Sequence, residues 1–247
     1  MLKTCIKKEV RGKYKGSFLG ILWSFINPLL MTIVYTLIFT VILKNSEQNY
    51  VVFIIIGVLP WNYFQLSINE SSKTFIKNNN IVKKVYFPRA VLPLSVNCAF
   101  LINYLISIPI ILIFLFIYNI GLSWYILIFP IILLIEFILI QGLSLLVSSV
   151  TVYVRDFEYI LNFLLNILFY ATPIIYSVHL FEGNSLLYKL IYLNPLTTII
   201  NSYRDIMFYK RMPNITSLCI VFVISILFLK ISLIIFNKLS KKFAEEL

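Results

Sequence analysis

The side chains best able to do chemistry in this sequence are amides and aromatic rings within apolar segments. Tyr159, Asn162, Phe163, Asn166 and Tyr170 recur at steps of three or four residues, which places them on one face of a helix. Aromatic rings can stack on sugar rings and amides can hydrogen-bond hydroxyl groups, so this face suits a carbohydrate. Alternatively, the polar groups only join neighbouring membrane helices. The spacing leaves both interpretations open.

Two other apolar segments carry polar side chains. Trp23, Asn27 and Tyr35 lie along the first, where polar groups must find partners on other helices or on a water-accessible path. Glu136 is a carboxylate near the middle of the fourth. A neutral, hydrogen-bonded structural role is favoured for Glu136 over a position lining a pore.

The residues of an enzyme are missing from the sequence. It contains no G-x-x-x-x-G-K-[ST] phosphate loop, which excludes ATP hydrolysis by that route. The ten acidic residues do not cluster as a metal-binding or acid/base pair, and the single His179 cannot build a metal site alone. We therefore expect a protein that is not an enzyme and that holds no metal or cofactor.

The composition places these side chains on membrane helices. The 247 residues are 60% hydrophobic and 13% charged, which is too little charge for a water-exposed surface. Apolar segments of about 20 residues, the length that crosses roughly 30 Å of hydrocarbon, recur along the chain. The predicted fold is a single all-α integral membrane domain over residues 1–247, with six spans at about 20–43, 50–69, 90–118, 123–151, 157–178 and 214–237.

The distribution of cations predicts the orientation of the spans. Lys and Arg concentrate in the N-terminus, in residues 71–89, at Arg155 and at the C-terminal end. Few fall in the opposite loops. Because positive loops stay in the cytoplasm, both termini are predicted to lie inside. This topology accounts for the net charge of +11 without nucleic acid as a partner.

Two segments outside the spans are too apolar for solvated loops. In residues 2–15 apolar positions fall four apart on one helical face, which predicts an amphipathic helix on the membrane surface; a frayed basic tail is the alternative. Residues 179–213 are rich in Leu, Ile and Tyr but are interrupted by Gly183 and by Asn194-Pro195. They predict two short re-entrant or interfacial half-helices on the outer side.

Four stretches of the sequence together resemble a known family. They read RGKYKGSFLGILWSFINPLL at 11–30, IVKKVYFPRAVLPLS at 81–95, VRDFEYIL at 154–161 and YLNPLTTIINSYRD at 192–205. These blocks are similar to those of the membrane (permease) subunit of type-2 ABC transporters that export polysaccharides, and most of all to the O-antigen type. The resemblance covers nearly the whole chain.

The resemblance implies a transport subunit in the bacterial cytoplasmic (inner) membrane, surrounded by membrane lipid. A homodimer would enclose a channel lined by the first and fifth spans, two copies of a separate ATPase subunit would drive it, and a lipid-diphosphate-linked glycan would be the cargo. On that basis the expected channel-lining residues are Trp23, Asn27, Tyr35, Tyr159, Asn162, Phe163, Asn166 and Tyr170. The half-helices of residues 179–213 would form an outer gate that contains Leu187, Tyr192, Pro195 and Leu196.

The same resemblance gives the polar residues 71–89 a role. In such transporters the loop between the second and third spans carries a coupling helix that docks on the ATPase. Here residues 71–80 would form that helix, with Ser71 or Ser72 capping its start. The expected contacts come from Lys73, Phe75, Ile76 and Lys77. Alternatively the lysines serve topology alone, which would not explain Phe75 and Ile76 in a solvated loop.

Three other functions remain as alternatives. One is a capsule or teichoic acid exporter, the second is a type-2 permease for a drug or small lipid, and the third is a membrane-embedded glycosyltransferase or polymerase. The stripe of amides and rings argues against the drug permease. The missing acidic cluster argues more strongly against the transferase.

Overall fold

The structure, a computed structural model, describes residues 1–14, 16, 18–38, 49–84, 87–178 and 185–246. Within these residues the chain forms α-helices and short 3-10 turns and no strand, in agreement with the predicted all-α fold. The helices are Leu2–Tyr14 (α1), Trp23–Thr36 (α2), Tyr50–Lys77 (α3), Asn79–Lys84 (α4), Val91–Ile117 (α5), Phe129–Tyr153 (α6), Phe157–Ala171 (α7), Ser185–Leu193 (α8), Pro195–Met207 (α9), Ile215–Leu239 (α10) and Phe243–Glu246 (α11).

Four helices in the described part of the chain are long and apolar enough to cross a membrane. They are α3, α5, α6 with the 3-10 turn before it, and α10, and they correspond to the second, third, fourth and sixth predicted spans. Their length and composition are those of an integral membrane protein. The helices at the first and fifth positions, α2 and α7, are shorter. The full count of six spans therefore stays a prediction.

Two helices end at residues well away from the predicted ones. Helix α7 ends at Ala171 because Thr172, which precedes Pro173, adopts an extended backbone. Residues 39–43, the end of the first predicted span, lie outside the described residues. Helix α3 continues past its predicted end at residue 69 and stops only at Lys77.

Helix α3 lies at the centre of the bundle. It packs against α2, α5, α6, α7 and α9, and most of its side chains are buried. The Tyr63 hydroxyl donates to Asn97 Oδ1 on α5 (2.6 Å), and the Asn97 amide donates to Gln141 Oε1 on α6 (3.1 Å). Such interhelical hydrogen bonds join membrane helices because hydrocarbon offers polar groups no other partner.

Helices α6 and α10 approach each other closely at Gly142. An added Cβ there would lie 2.8 Å from the Phe228 ring and 3.3 Å from the Cα of Leu229. A residue without a side chain at such a contact lets two membrane helices pack backbone to backbone. Gly142 therefore fixes the distance between α6 and α10.

The bundle has two ends. We call one of them the α1 end, because α1 packs along α5 there. At this end the Lys8 ammonium donates a hydrogen bond to Oδ1 of Asn78, the residue that follows α3. Apolar side chains of α1 are half-buried while Lys3 and Lys7 are exposed, as in an amphipathic helix. At the opposite α9 end, α9 packs beside the first turns of α3, with α8 against it. The position of α1 on a membrane surface stays a prediction.

Candidate functional site

The predicted stripe of rings and amides on α7 lies mainly on an exposed surface. One side of α7 is buried in the bundle through Leu161, Leu165 and Phe169. The other side exposes Tyr159 (76%), Phe163 (65%), Asn166 and Tyr170 (65%). Asn162 is half-buried, and its amide donates to the Glu158 carbonyl (2.9 Å). The helix is thus anchored by one face and presents ring faces and an amide on the other.

Trp23 and Asn27 line a cavity of about 300 Å³ between α2, α3 and α5. Its walls also contain two further amides and two tyrosines, Asn62, Asn103, Tyr63 and Tyr104. Among the described residues its lining includes none of α7. Tyr35 does reach α7, because its ring stacks on that of Phe169 with centroids 5.6 Å apart. The predicted channel-lining set is therefore divided within one copy of the chain between a cavity that is open to the surface at Trp23 and Asn27 and the exposed face of α7.

A second cavity, of about 460 Å³, lies at the α1 end and adjoins the first. The two share the lining residues Leu66, Phe100 and Asn103. Charged groups of both signs line the second cavity, including Lys8, Glu9, Glu70 and Lys77. Burial raises the pKa of the Glu9 carboxyl above its usual value, although Lys8 opposes this effect. An amide-lined space inside the bundle thus continues into a charged space at its end.

The two lysines predicted to dock on a partner are paired within the chain. Lys73 Nζ lies 2.6 Å from Glu158 Oε1, which joins the end of α3 to the start of α7. Lys77 pairs with Glu70 on the same helix. Ion pairs as exposed as these contribute about 0–1 kcal/mol each to the stability of the fold. A carboxylate of a partner protein could therefore replace Glu158 or Glu70 as the partner of either lysine.

Phe75 does not lie on the surface. Its ring is fully buried and stands edge-on to the ring of Phe243, with centroids 4.8 Å apart. It also contacts the ring of Phe236 on α10, at 6.0 Å. Phe75 therefore holds the C-terminal helices against α3, and this corrects the expectation that its ring contacts a partner.

The predicted coupling helix has different bounds in the structure. Helix α3 runs unbroken to Lys77, so the buried Ser71 and Ser72 lie inside it and cap no separate helix. The separate short helix is α4, which follows Asn78. Together the two helix ends expose a set of apolar and basic side chains that we call the α3–α4 surface: Ile76, Lys77, Ile81, Lys83 and Lys84.

The predicted gate residues divide between interior and surface. Leu196, in the first turn of α9, is buried, and Asn194 caps that helix by accepting a hydrogen bond from the Leu196 backbone N–H (3.0 Å). Pro195 occupies the first position of α9, where its missing N–H would have no partner in any case. On α8, Leu187 is 40% exposed and Tyr192 is 36% exposed. Helix α9 thus belongs to the packed bundle, and α8 lies on its surface.

Arg204 on α9 is a fully buried cation that the sequence alone did not single out as a site. Its guanidinium donates to the carbonyls of Phe53, Pro173 and Ile174, and its Cζ lies 3.5 Å from the centroid of the Phe53 ring. Gly57 leaves room for it, since an added Cβ there would come within 2.7 Å of Nη2. One side chain thus ties α9 to α3 and to the segment after α7. The available signal was the single glycine of α3.

Glu136 takes part in the packing of α6 against α9. The Tyr203 hydroxyl on α9 donates to Glu136 Oε2 (2.8 Å), and both side chains are buried. The ring of Tyr104 stands edge-on to that of Tyr203, with centroids 6.3 Å apart. The geometry supports the structural interpretation of Glu136 over a position lining a pore.

The side chains described above are groups that can bind a molecule. In the ranges that the structure describes, no three His, Cys, Asp or Glu side chains come together in a way that could hold a metal ion. The side chains described above can stack on a ring, hydrogen-bond a hydroxyl group or pair with a charge. Their arrangement suits the binding and passage of a molecule.

Comparison with known proteins agrees with this description. The ABC-2 type transporter family matches residues 1–208. The chain is 36% identical over 247 residues to an O-antigen export system permease protein RfbA of Klebsiella pneumoniae, with 99% of this chain and 94% of that protein covered. It is 31% identical over 247 residues to the O-antigen export system permease protein RfbA of Myxococcus xanthus, with all of this chain and 95% of that protein covered. With its helices, its family match and these relatives in agreement, the chain belongs to the ABC-2 type transporter family.

Proposed function

We propose that this chain is the permease subunit of an ATP-driven exporter that moves a polysaccharide of the O-antigen kind across the bacterial cytoplasmic membrane. The similarity over the full chain to relatives named as O-antigen export permeases carries the proposal. In this proposal the chain forms a homodimer, and two copies of a separate ATPase subunit hydrolyse the ATP. The cargo is a glycan attached to a lipid diphosphate.

The exposed face of α7 is the proposed wall of the export path. A glycan that crosses about 30 Å of hydrocarbon must keep its hydroxyl groups hydrogen-bonded, because each unsatisfied group costs about 2–7 kcal/mol. Asn166 supplies an exposed amide, and the rings of Phe163 and Tyr170 supply faces that contact a sugar without fixing its position along the path. A second copy related by two-fold symmetry would place the same face opposite.

The two ends of the bundle are assigned by charge. The basic helices α1 and α4 lie at the α1 end, where the buried ring of Phe243 also places the C-terminal helices. The positive-inside rule makes this end cytoplasmic, with both termini inside. Helices α8 and α9 are then a re-entrant outer gate containing Leu187, Tyr192, Pro195 and Leu196. Helices α2 and α7 count as the first and fifth of six spans.

The α3–α4 surface, with Lys73 beside it, is the proposed contact for the ATPase. Ile76 and Ile81 are exposed apolar side chains, and lysines surround them. A pair of apolar anchors within a basic rim suits a groove with acidic edges on a partner. Phe75 supports this surface from beneath, because its buried ring fixes the end of α3 to α10 and α11.

The path is tested by changing Asn166 and Tyr170 together to Leu. Leu suits a membrane helix, so folding and co-purification with the ATPase should persist, while glycan at the cell surface and glycan-stimulated ATP hydrolysis fall sharply. The matched control changes Leu164 and Ile167, which are about equally exposed on α7, to Ala. Normal export by the double Leu variant would place the path on another face. Loss of assembly would identify the two residues as packing residues.

The docking surface is tested by reversing Lys73 and Lys77 to Glu. Co-purification with the ATPase and export should both be lost, and retention of both would contradict the assignment. Because Lys73 pairs with Glu158, the combination Lys73→Glu with Glu158→Lys is the control. This swap restores the internal ion pair but not the charge offered to a partner. If the swap restores co-purification with the ATPase and export, then Lys73 is needed for its ion pair with Glu158 and not for contact with the ATPase.

A further inference from the structure

The α9 end of the bundle contains a polar cavity that none of the roles above uses. It measures about 300 Å³ and lies between α8, α9 and the first turn of α10. A smaller adjoining cavity of about 50 Å³ shares four of its lining residues. The groups that matter are two tyrosines of α8, an amide and a carboxylate of α9, and an amide and a hydroxyl of α10: Tyr188, Tyr192, Asn201, Asp205, Asn214 and Ser217.

We propose that this cavity, the α8–α9 pocket, is a binding site for a single sugar unit of the exported glycan at the outer end of its path. The inference deepens the proposed function and rests on it for the identity of the cargo. It assigns α8 and α9 a direct contact with the sugar in addition to their role as a gate.

The two tyrosines form the aromatic wall of the pocket. Their ring centroids lie 4.8 Å apart with the rings tilted by 46°. Both side chains are partly exposed, and the Tyr192 hydroxyl lies within hydrogen-bonding reach of Tyr188 and Asn201. A wall of two tilted rings offers both an apolar face for the C–H side of a sugar and hydroxyl groups at its edge.

The opposite walls supply fixed polar groups. Asp205 is held in place because its Oδ1 accepts a hydrogen bond from Arg211 Nε (2.6 Å). Asn214 is held because its Oδ1 caps α10 by accepting from the Ser217 backbone N–H (3.1 Å). Amide, carboxylate and hydroxyl groups can together donate to and accept from neighbouring sugar hydroxyls. Contacts within the chain itself thus hold Asp205 and Asn214 in place at the pocket.

The size and charge of the pocket select among possible ligands. At about 300 Å³ it is at the small end of small-molecule sites, which suits one sugar unit rather than a folded length of glycan. Its polar lining does not suit a lipid chain. Among the described residues its lining includes the carboxylate of Asp205 and no Lys or Arg, so the pocket does not offer the cationic cluster that a phosphate headgroup requires.

The first test measures binding directly. The purified full chain in lipid nanodiscs is mixed with methyl glycosides of glucose, galactose, mannose, rhamnose and N-acetylglucosamine, and contact is measured by saturation-transfer NMR. At least one glycoside should bind. Tyr188→Leu and Asn201→Leu should each weaken that binding about fivefold or more, the loss expected for one ring or amide contact. Tyr125→Leu, an exposed tyrosine outside the pocket, is the control and should bind normally.

The second test uses the exporter in cells and identifies the source of the sugar. Ser217→Cys is placed in a chain whose three native cysteines are changed to Ser, and labelling by a membrane-impermeant thiol reagent is compared in cells with and without glycan synthesis. Labelling should slow at least fivefold while glycan is exported. Ser123→Cys, a half-buried serine at the same end of the bundle and outside the pocket, should label equally in both.

The outcomes separate this inference from the proposed function. Glycan on the cell surface without protection of Ser217→Cys, or without binding of any glycoside, would overturn the sugar site and leave the export function standing. Equal binding by the wild-type chain and both pocket variants would also overturn it. Absence of surface glycan in cells that hold the complete transporter would contradict the export function, while the NMR measurement would still decide whether the pocket binds sugar.

Discussion

Replacement of Gly57 by Ala tests whether Arg204 anchors α9 to α3. The new methyl carbon would stand 2.7 Å from Arg204 Nη2 and 3.0 Å from the Ile174 carbonyl oxygen. A guanidinium often swings aside from such a contact, but this one is fully buried and its two terminal nitrogens are bonded to the carbonyls of Pro173 and Ile174. It cannot make room without breaking those bonds.

The expected change in the free energy of unfolding follows from the two hydrogen bonds of Arg204 that are lost. Each hydrogen bond to a charged group is worth about 1.5–3 kcal/mol, so two of them amount to roughly 3–6 kcal/mol. Ala is favoured over Gly inside a helix by about 1 kcal/mol, which offsets part of the loss. We expect Gly57→Ala to lower the free energy of unfolding by about 2–5 kcal/mol.

The assay is denaturant unfolding of the purified chain in detergent micelles, with Gly12→Ala as the matched control. Gly12 lies in α1 with nothing within 4 Å of its would-be Cβ, so Ala there should stabilise the chain by up to about 1 kcal/mol. In an Arg204→Met background most of the penalty of Gly57→Ala should disappear, because the nearer clashing group is gone and only the contact with the Ile174 carbonyl oxygen remains. A Gly57→Ala chain as stable as wild type would refute the reasoning.

Three further outcomes follow from the packing. Gly142→Val should push α6 away from α10 and lower the free energy of unfolding by about 1–3 kcal/mol; an unchanged denaturant midpoint would contradict the close approach. Tyr203→Phe should lower the free energy of unfolding by about 1–3 kcal/mol in the same assay, because it leaves the buried carboxyl of Glu136 without its hydrogen-bond donor. Adding Glu136→Leu to that variant should recover part of the lost stability. Leu187→Cys should react with a thiol reagent much faster than Leu196→Cys, since their side chains are 40% and 3% exposed; equal rates would show that α9 does not pack as described.

Periodicity in the sequence predicted the division of α7 into two faces. Residues three and four apart must share a face of any helix, so the rings and amides separated from the buried leucines without reference to the rest of the chain. Periodicity does not tell which other helix lies opposite. The family resemblance, and not periodicity, grouped Trp23 and Asn27 with α7, and within one copy of the chain they line a cavity with α3 and α5.

The burial of Phe75 and of Arg204 was missed for a common physical cause. Phe75 looked like a partner contact because its sequence neighbours are polar, while the rings that bury it belong to α10 and α11, far along the chain. Arg204 was not singled out because its carbonyl partners come from two segments that are distant from it in the sequence. In both cases burial is created by tertiary contacts, which local composition does not contain.

The length of helix α3 has a mechanical consequence. Its 28 residues form a rod about 42 Å long. Pro60, near the midpoint, removes one backbone hydrogen bond and marks a place where the rod can bend. One tip holds Arg204 through Phe53, and the other holds Glu158 through Lys73. A swing of about 10° about the centre would move each tip by roughly 4 Å, more than the length of a hydrogen bond. If the rod moves as a unit and does not bend at Pro60, a push at the Lys73 tip would arrive at the Phe53 tip as a displacement large enough to break its contact with Arg204.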